Sequence, residues 1–288
     1  MTTPSHEWIE EIHDDSQGMK WKLKARLFKG QSRFQTVEVV DTVAHGRMLL
    51  NDGLVMVTER DERIYHEMIA HVPLFTHPDP QRVLVIGGGD GGTIREVLRH
   101  PGVKRAVLCE IDGMVVEACL TWIPQTAQVL SDPRVDVHIE DGVHFLKETA
   151  DRYDVILVDS TDPLGPATPL FGRDFYLSVF DRLTDDGIVV SQGESGFLHL
   201  DTQKRLLGIL QDVFPQTYVY NYSNLTYPGG MWSFMVGSKR WHPQKDFSPE
   251  RLRQCGGDFY WYNADIHRSA FSLPTFMKQA LTGIGNGC

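Results

Sequence analysis

Val83-Leu84-Val85-Ile86-Gly87-Gly88-Gly89-Asp90-Gly91-Gly92 is the stretch on which the reading of the fold turns. Its four consecutive apolar residues read as a strand buried on both faces, because a half-exposed strand would alternate apolar with polar. Gly87, Gly89 and Gly92 then form a G-x-G-x-x-G, and Ile94, Val97 and Leu98 follow at helical spacing. Glycines at such a strand-to-helix turn let the backbone approach a nucleotide closely. Glu110, at the end of the next apolar run, offers a carboxylate that can accept both hydroxyls of a ribose. Without a ligand, the same residues make a tight βα turn and a solvated acid.

The alternation continues downstream. Strand Ala106–Ile111, helix Asp112–Leu120, strand Val135–Ile139, helix Val143–Thr149, strand Val155–Asp159, helix Phe171–Leu183 and strand Ile188–Ser191 follow in turn. A helix carrying Leu206, Leu210 and Val213 comes next, then two strands, Thr217–Tyr222 and Met231–Val236, expected as an edge pair. Parallel strands need crossovers, so repeated βα units predict a doubly wound α/β sheet. Upstream the pattern shortens. Trp21–Phe28 alternates basic with apolar residues, Phe34–Val40 and Arg47–Leu50 follow, and Asn51-Asp52-Gly53 predicts a hairpin turn before Leu54–Val57. Asp61–Phe75 reads as a helix with Ile64, Met68, Val72 and Phe75 on one face and Thr58 or Asp61 as its cap. The expected organisation is a small β-strand domain over 1–60 and a Rossmann-like domain over 61–288. The tail beyond Lys239 has no clear pattern.

Composition narrows the function. Of 288 residues, 41% are hydrophobic and 23% charged, as in an ordinary globular protein. There is no run of eighteen apolar residues to span a bilayer and no apolar signal core near Glu7 and Glu10, so a cytoplasmic enzyme is expected. The 28 basic and 38 acidic residues give a net charge of −10, which argues against nucleic-acid binding. Cys109, Cys119, Cys255 and Cys288 lack metal or disulfide spacing. His66 and His71 lie five apart on a helix, point in different directions and cannot share a zinc ion, so no metal site is expected.

Two further segments carry acids. Asp90 inside the glycine loop would repel a diphosphate or a carboxylate and welcome a cation, or it caps the following helix; the two roles are compatible. Asp141-Gly142, after a strand, suits an adenine edge and equally an unremarkable turn. Asp159-Ser160-Thr161-Asp162-Pro163-Leu164-Gly165-Pro166 puts two carboxylates at a strand's carboxyl end, where ligands of open α/β sheets bind. Paired acids there suit ammonium recognition and general-base work.

These segments resemble the spermidine synthase (polyamine aminopropyltransferase) family from about Gly46 to Phe276. The resemblance is carried by GRMLLNDGLVMVTERDERIYHEMIAHVPL (Gly46–Leu74), VLVIGGGDGGTIREVLRH (Val83–His100), EID (Glu110–Asp112), DGVHFL (Asp141–Leu146), DSTDPLGP (Asp159–Pro166) and FYWYNADIHRSAFSLP (Phe259–Pro274). It implies a methyltransferase-like Rossmann domain with a small N-terminal β domain, assembled as a homodimer or homotetramer. It also implies transfer of an aminopropyl group from decarboxylated S-adenosylmethionine, a co-substrate and not a cofactor, to a diamine, putrescine first. Position by position, it makes Asp159 the base with Asp162 beside it, and Asp90 the holder of the donor's aminopropyl nitrogen. Glu110 becomes the ribose ligand, Asp141 and Gly142 the adenine contact, and Gln35 and Pro166 further nucleoside contacts. Tyr65, His66, Gln192, Tyr227 and Trp232 become the lining of the amine channel. Cadaverine, agmatine or spermidine are alternative acceptors. An amine N-methyltransferase on the same scaffold is the nearest rival, opposed by Asp90. A polyamine sensor without turnover and a nicotinamide dehydrogenase fit less well.

Overall fold

The computed structural model describes residues 7–13, 16–163 and 165–284; the side chain of Pro166, and Cys288, fall outside what is described. The chain opens with a five-stranded antiparallel meander: β1 (Trp8–His13), β2 (Gln17–Gln31), β3 (Thr36–Thr42), β4 (Gly46–Asn51) and β5 (Leu54–Thr58). β2 departs from simple alternation. Register shifts between Leu23 and Ala25 and between Arg26 and Phe28 leave Ala25 exposed where the pattern predicts burial. Such bulges bend a strand. The sheet curls until Glu11 of β1 accepts a hydrogen bond from the Val55 N–H of β5 at 3.1 Å. At the β4–β5 hairpin Asp52 and Gly53 both have positive φ, 49° and 85°, the twist that a two-residue hairpin favours.

The larger sheet has seven strands in the order β11-β12-β10-β9-β6-β7-β8, where β6 is Arg82–Gly87, β7 Arg105–Glu110, β8 Val135–Ile139, β9 Tyr153–Asp159, β10 Leu183–Gln192, β11 Gln216–Ser223 and β12 Met231–Ser238. β6 to β10 are parallel, and β12 runs antiparallel between β10 and β11. The fold is therefore a Rossmann-like doubly wound sheet preceded by a small β domain. From β6 the chain winds outward through β7 and β8, then returns to place β9 on the other side of β6. That reversal opens a crevice at the carboxyl ends of β6 and β9.

Successive strand residues face opposite layers. Val83, Val85, Val155 and Leu157 join one core with α1 (Glu62–Thr76) and α2 (Gly92–Leu98), while Leu84, Ile86, Ile156 and Val158 join the other with α5 (Gly142–Glu148), α6 (Arg173–Arg182) and α7 (Leu200–Val213). α3 (Gly113–Trp122) and α4 (Pro124–Ala127) complete the first layer. α1 is buried nearly all round, Met68, Val72 and Phe75 being at most 1% exposed. Each such side chain contributes about 1.5–3 kcal/mol by leaving water.

Three expectations need correction. Asp61 stands at the N-cap position of α1 but makes no capping bond; its carboxylate accepts from the backbone N–H groups of Leu225 and Thr226 and from the Thr226 hydroxyl. The helix expected from Phe171 starts at Arg173, because Gly165–Phe171 is a 3-10 segment containing Pro169. The unpatterned tail forms three short helices, α8 (Pro249–Gln254), α9 (Ala264–Ala270) and α10 (Thr275–Leu281). Its anchor is the Glu67 carboxylate, fully buried in α1, which accepts the N–H groups of Tyr260, Trp261 and Tyr262 at 2.8 Å each. No helix among the described residues is long and apolar enough to cross a membrane.

Candidate active site

A cleft with an empty volume of ≈ 1490 Å³, counted to its open mouth, lies between the two sheets at the β6–β9 switch point. Glu11, Asp61, Glu62, Asp90, Glu110, Asp141, Asp159 and Asp162 line it. Among the described residues its wall carries no lysine or arginine.

The glycine loop shapes the centre. Gly87 and Gly88 have φ of 81° and 69°, and an added Cβ would sit 2.1 Å from the Asp159 carbonyl oxygen at Gly87 and 2.6 Å from Asp159 Oδ2 at Gly88. At Gly92 a Cβ would sit 2.1 Å from His66 Cε1. The missing side chains therefore make the space in which Asp159 and His66 stand. Asp90 Oδ1 accepts from the Gly92 N–H at 2.8 Å, so the carboxylate both caps the turn and faces the cleft.

Asp159, at the end of β9, accepts from Thr93 Oγ1 at 2.7 Å and from the Tyr65 hydroxyl. Burial and the nearby charge of Asp90 raise its pKa, and these bonds only partly offset the rise. A carboxyl raised this way is a better proton acceptor than a solvated one. His66 Nδ1 lies 2.6 Å from Glu62 Oε2 and its Nε2 lies 3.3 Å from Asp90 Oδ1. Burial opposes charging the ring, but Asp90 and Glu62 outweigh it and push its pKa up to about 10. Arg95 grips both oxygens of Glu62, at 2.9 and 2.8 Å, and fixes that chain from behind. His66, Asp90 and Asp159 present ligand-type atoms within 4.8 Å of one another, a grouping of the kind that holds a cation. His71, by contrast, points away and pairs with His100 and Glu96.

One end of the cleft suits a nucleoside. Glu110 is 7% exposed, accepts from the N–H groups of Gly89 and Asp112, and is pushed by burial up to about 7. Gln35 Nε2 donates to Asp112 Oδ2 at 3.1 Å, which holds β3 against α3. Asp141 Oδ1 accepts from the Val143 N–H, capping α5, and Asp141 and Gly142 also border the cleft. The other end is more acidic. Gln192 Nε2 donates to Asp162 Oδ1 at 3.1 Å, and burial raises Asp162. Tyr65, Tyr227 and Trp232 wall this end, with Tyr227 bonded to the Met56 carbonyl and Trp232 to that of Pro228.

All the residues singled out in the sequence gather at this cleft except Pro166, whose side chain is outside the described residues. Others escaped sequence reasoning. Glu11 and His13 reach the cleft from β1. Glu194, 1% exposed and with φ of 65°, bonds to Asp162 and is pushed by burial up to about 8. It follows the exit of β10, so the strand-end rule that singled out Glu110 and Asp159 reaches it too.

Known proteins resemble this chain over almost its whole length. Residues 62–249 match the spermine/spermidine synthase domain and residues 7–59 the spermidine synthase tetramerisation domain. The chain is 44% identical over 274 residues to the polyamine aminopropyltransferase of Shouchella clausii (strain KSM-K16), covering 95% of this chain and 98% of that one. It is 43% identical over 274 residues to that of Bacillus subtilis (strain 168), with the same coverage of 95% and 98%. A crystal structure of a spermidine synthase in complex with the transition-state analogue AdoDATO superposes with a TM-score of 0.94 at 40% identity, covering 97% of this chain and 96% of that one. The spermidine synthase from Thermotoga maritima gives 0.91 at 39% identity, with coverage of 97% and 95%. With both parts of the chain matched and identity near 44% over almost its whole length, the chain belongs to the spermidine synthase family of polyamine aminopropyltransferases.

Proposed function

We propose that the enzyme transfers the aminopropyl group of decarboxylated S-adenosylmethionine to putrescine, giving spermidine and 5′-methylthioadenosine, with Asp159 as general base. The observation that carries this reading is a wall of eight acidic side chains without a lysine or arginine among the described residues, at a nucleoside-type switch point. Two cationic reactants suit such a cleft; a donor that keeps its own carboxylate would meet Asp90.

The chemistry balances simply. The amine nitrogen attacks the methylene beside the sulfonium, a C–N bond forms, and the C–S electron pair returns to sulfur as a neutral thioether. The attacking nitrogen must first lose a proton, and a primary amine with a pKa near ~10.4 is almost wholly protonated at neutral pH. Asp159, raised by burial and Asp90, takes that proton. Asp90 holds the donor's ammonium, Glu110 the ribose, and Asp141 with Gly142 the adenine. Gln35 and Pro166 complete the nucleoside end. Asp162 holds the acceptor's far ammonium, with Tyr65, His66, Gln192, Tyr227 and Trp232 lining its channel. Because the sulfonium is its own activated leaving group, the reaction needs no metal or organic cofactor. The match of residues 7–59 to a tetramerisation domain supports a homodimer or homotetramer. We assign the enzyme to the cytoplasm and place the boundary between its two domains after residue 60.

Product analysis tests the reading. Purified enzyme is incubated with intact or decarboxylated S-adenosylmethionine and with putrescine, cadaverine, agmatine and spermidine in competition. Spermidine and methylthioadenosine from the decarboxylated donor are expected, with putrescine preferred. Each misplaced methylene costs only about 1–3 kcal/mol, so minor products from the other amines are compatible. Methylated amines from the intact donor would overturn it.

A further inference from the structure

Asn51 stands in the cleft wall with a hydrogen-bonding atom that none of the described residues uses. On β4, Met48 and Leu50 pack into the core of the N-terminal sheet, whereas Leu49 packs into the main core and borders the cleft. Asn51 continues the row of Leu49, two residues on and on the same face. It also borders the cleft, is 8% exposed, and its Oδ1 is buried without a partner among the described residues. An aliphatic side chain would fill this row without leaving a polar atom open.

The local explanation is a turn residue. Asn before a tight turn often hooks its side chain onto the turn backbone. Here the neighbouring Asp52 carries the hairpin's side-chain bond, its Oδ1 accepting from the Thr36 N–H at 2.8 Å. Asn51 takes no part in it. Buried polar atoms without a partner are rare, and each calls for a reason.

Position supplies one. Across the ladder Asn51 faces Val37, two residues beyond Gln35 at the nucleoside end. On its other side it faces Leu54, next to Val55, whose N–H is held by Glu11. Asn51 thus stands between the residues of the nucleoside end and those of the acidic end. We propose that Asn51 is a donor-binding residue, its amide oxygen accepting a hydrogen bond from an O–H or N–H of the nucleoside co-substrate. The inference rests on the aminopropyltransferase reading and extends it to a residue that neither motif nor charge singled out.

The test compares wild type with Asn51→Leu, which keeps the branched outline and removes the amide, and with Asn51→Ala should the first variant fail to fold. Calorimetric titration with methylthioadenosine and with decarboxylated S-adenosylmethionine is combined with thermal melting of the ligand-free enzyme. The expected result is donor affinity weakened about tenfold, an unchanged KM for the amine, and a ligand-free Tm equal to or above that of wild type. Equal loss toward methylthioadenosine assigns the bond to a ribose hydroxyl; loss confined to the aminopropyl-bearing donor assigns it to the ammonium. Wild-type affinity for both ligands, or a lowered ligand-free Tm with unchanged binding, overturns the role of Asn51. Failure of the wild-type enzyme to bind either ligand would instead overturn the aminopropyltransferase reading itself.

Discussion

Donor binding should expel a proton from His66. In the ligand-free site the ring is held between Glu62 at 2.6 Å and Asp90 at 3.3 Å, and those carboxylates, against burial, push its pKa up to about 10. The donor's ammonium is expected to take the Asp90 carboxylate and so to stand about 4 Å from the ring. Two like unit charges at that distance repel by about 4 kcal/mol at an effective dielectric near 20, which makes the imidazolium about a thousandfold easier to deprotonate. The free enzyme therefore keeps this proton up to a pH of about 10, while the complex loses it near neutrality. Between those limits donor affinity should rise by about tenfold per pH unit, until the donor's own amine titrates near ~10.4. Titration calorimetry at pH 8.5, in buffers of different ionisation enthalpy, counts the protons; Glu110, at about 7, is already ionised there. Wild type should release close to one proton with decarboxylated S-adenosylmethionine, and little with methylthioadenosine, which lacks the ammonium. His66→Gln should bring the donor's count down to that of methylthioadenosine. A count of zero for wild type with the donor, or equal counts for the two ligands, would refute the reasoning.

Asp159→Asn should lower kcat by about 10²–10⁴, the range for a lost general base, while methylthioadenosine still binds; wild-type turnover in that variant removes Asp159 from the role. Gly92→Ala would bring a Cβ to 2.1 Å from His66 Cε1, so the ring must shift by about 1 Å, and kcat/KM should fall by about 10² with the circular dichroism spectrum preserved; unaltered kcat/KM would show that the ring is not held there. Glu62→Gln removes the bidentate partner of Arg95, which keeps Glu96 at 2.8 Å, and should cost about 1–3 kcal/mol in denaturant unfolding. The same variant should lower the His66 pKa seen by NMR; an unmoved titration would mean that Glu62 does not govern the ring.

Much of this architecture can be read from local pattern, because strands β6, β7 and β9 are short, buried apolar runs and acids stand at or just beyond their ends. The strand-end rule finds Glu110 and Asp159 and, applied to β10, would also reach Glu194. What escapes it depends on distance along the chain. Glu11 and His13 come from a strand in which an acid sits at a buried position, against the usual alternation, and only the curl of the first sheet brings them to the cleft. Asp61 looks like a helix cap because its partners, Leu225 and Thr226, are 164 and 165 residues away. The tail is hard to read because its buried apolar residues, Phe247, Tyr262, Phe271, Leu273, Met277 and Leu281, are split between two cores and three short helices, and because backbone N–H groups on Glu67 also pin it. Asn51 is hidden differently: Asn-Asp-Gly spells a turn so well that a second use of its first residue leaves no mark in the sequence.

The central claim is that Asp90 selects a donor lacking a carboxylate, and paired affinities for the two donors test it most directly. Calorimetry on wild type and Asp90→Asn, at one pH and one ionic strength, gives four dissociation constants. Like-charge contact and a buried ammonium–carboxylate pair are each worth several kcal/mol, so wild type should prefer decarboxylated over intact S-adenosylmethionine by about 10² or more. Asp90→Asn should shrink that ratio at least about tenfold, mainly by weakening the decarboxylated donor. Equal affinities in wild type, or a ratio untouched by the substitution, would contradict the account.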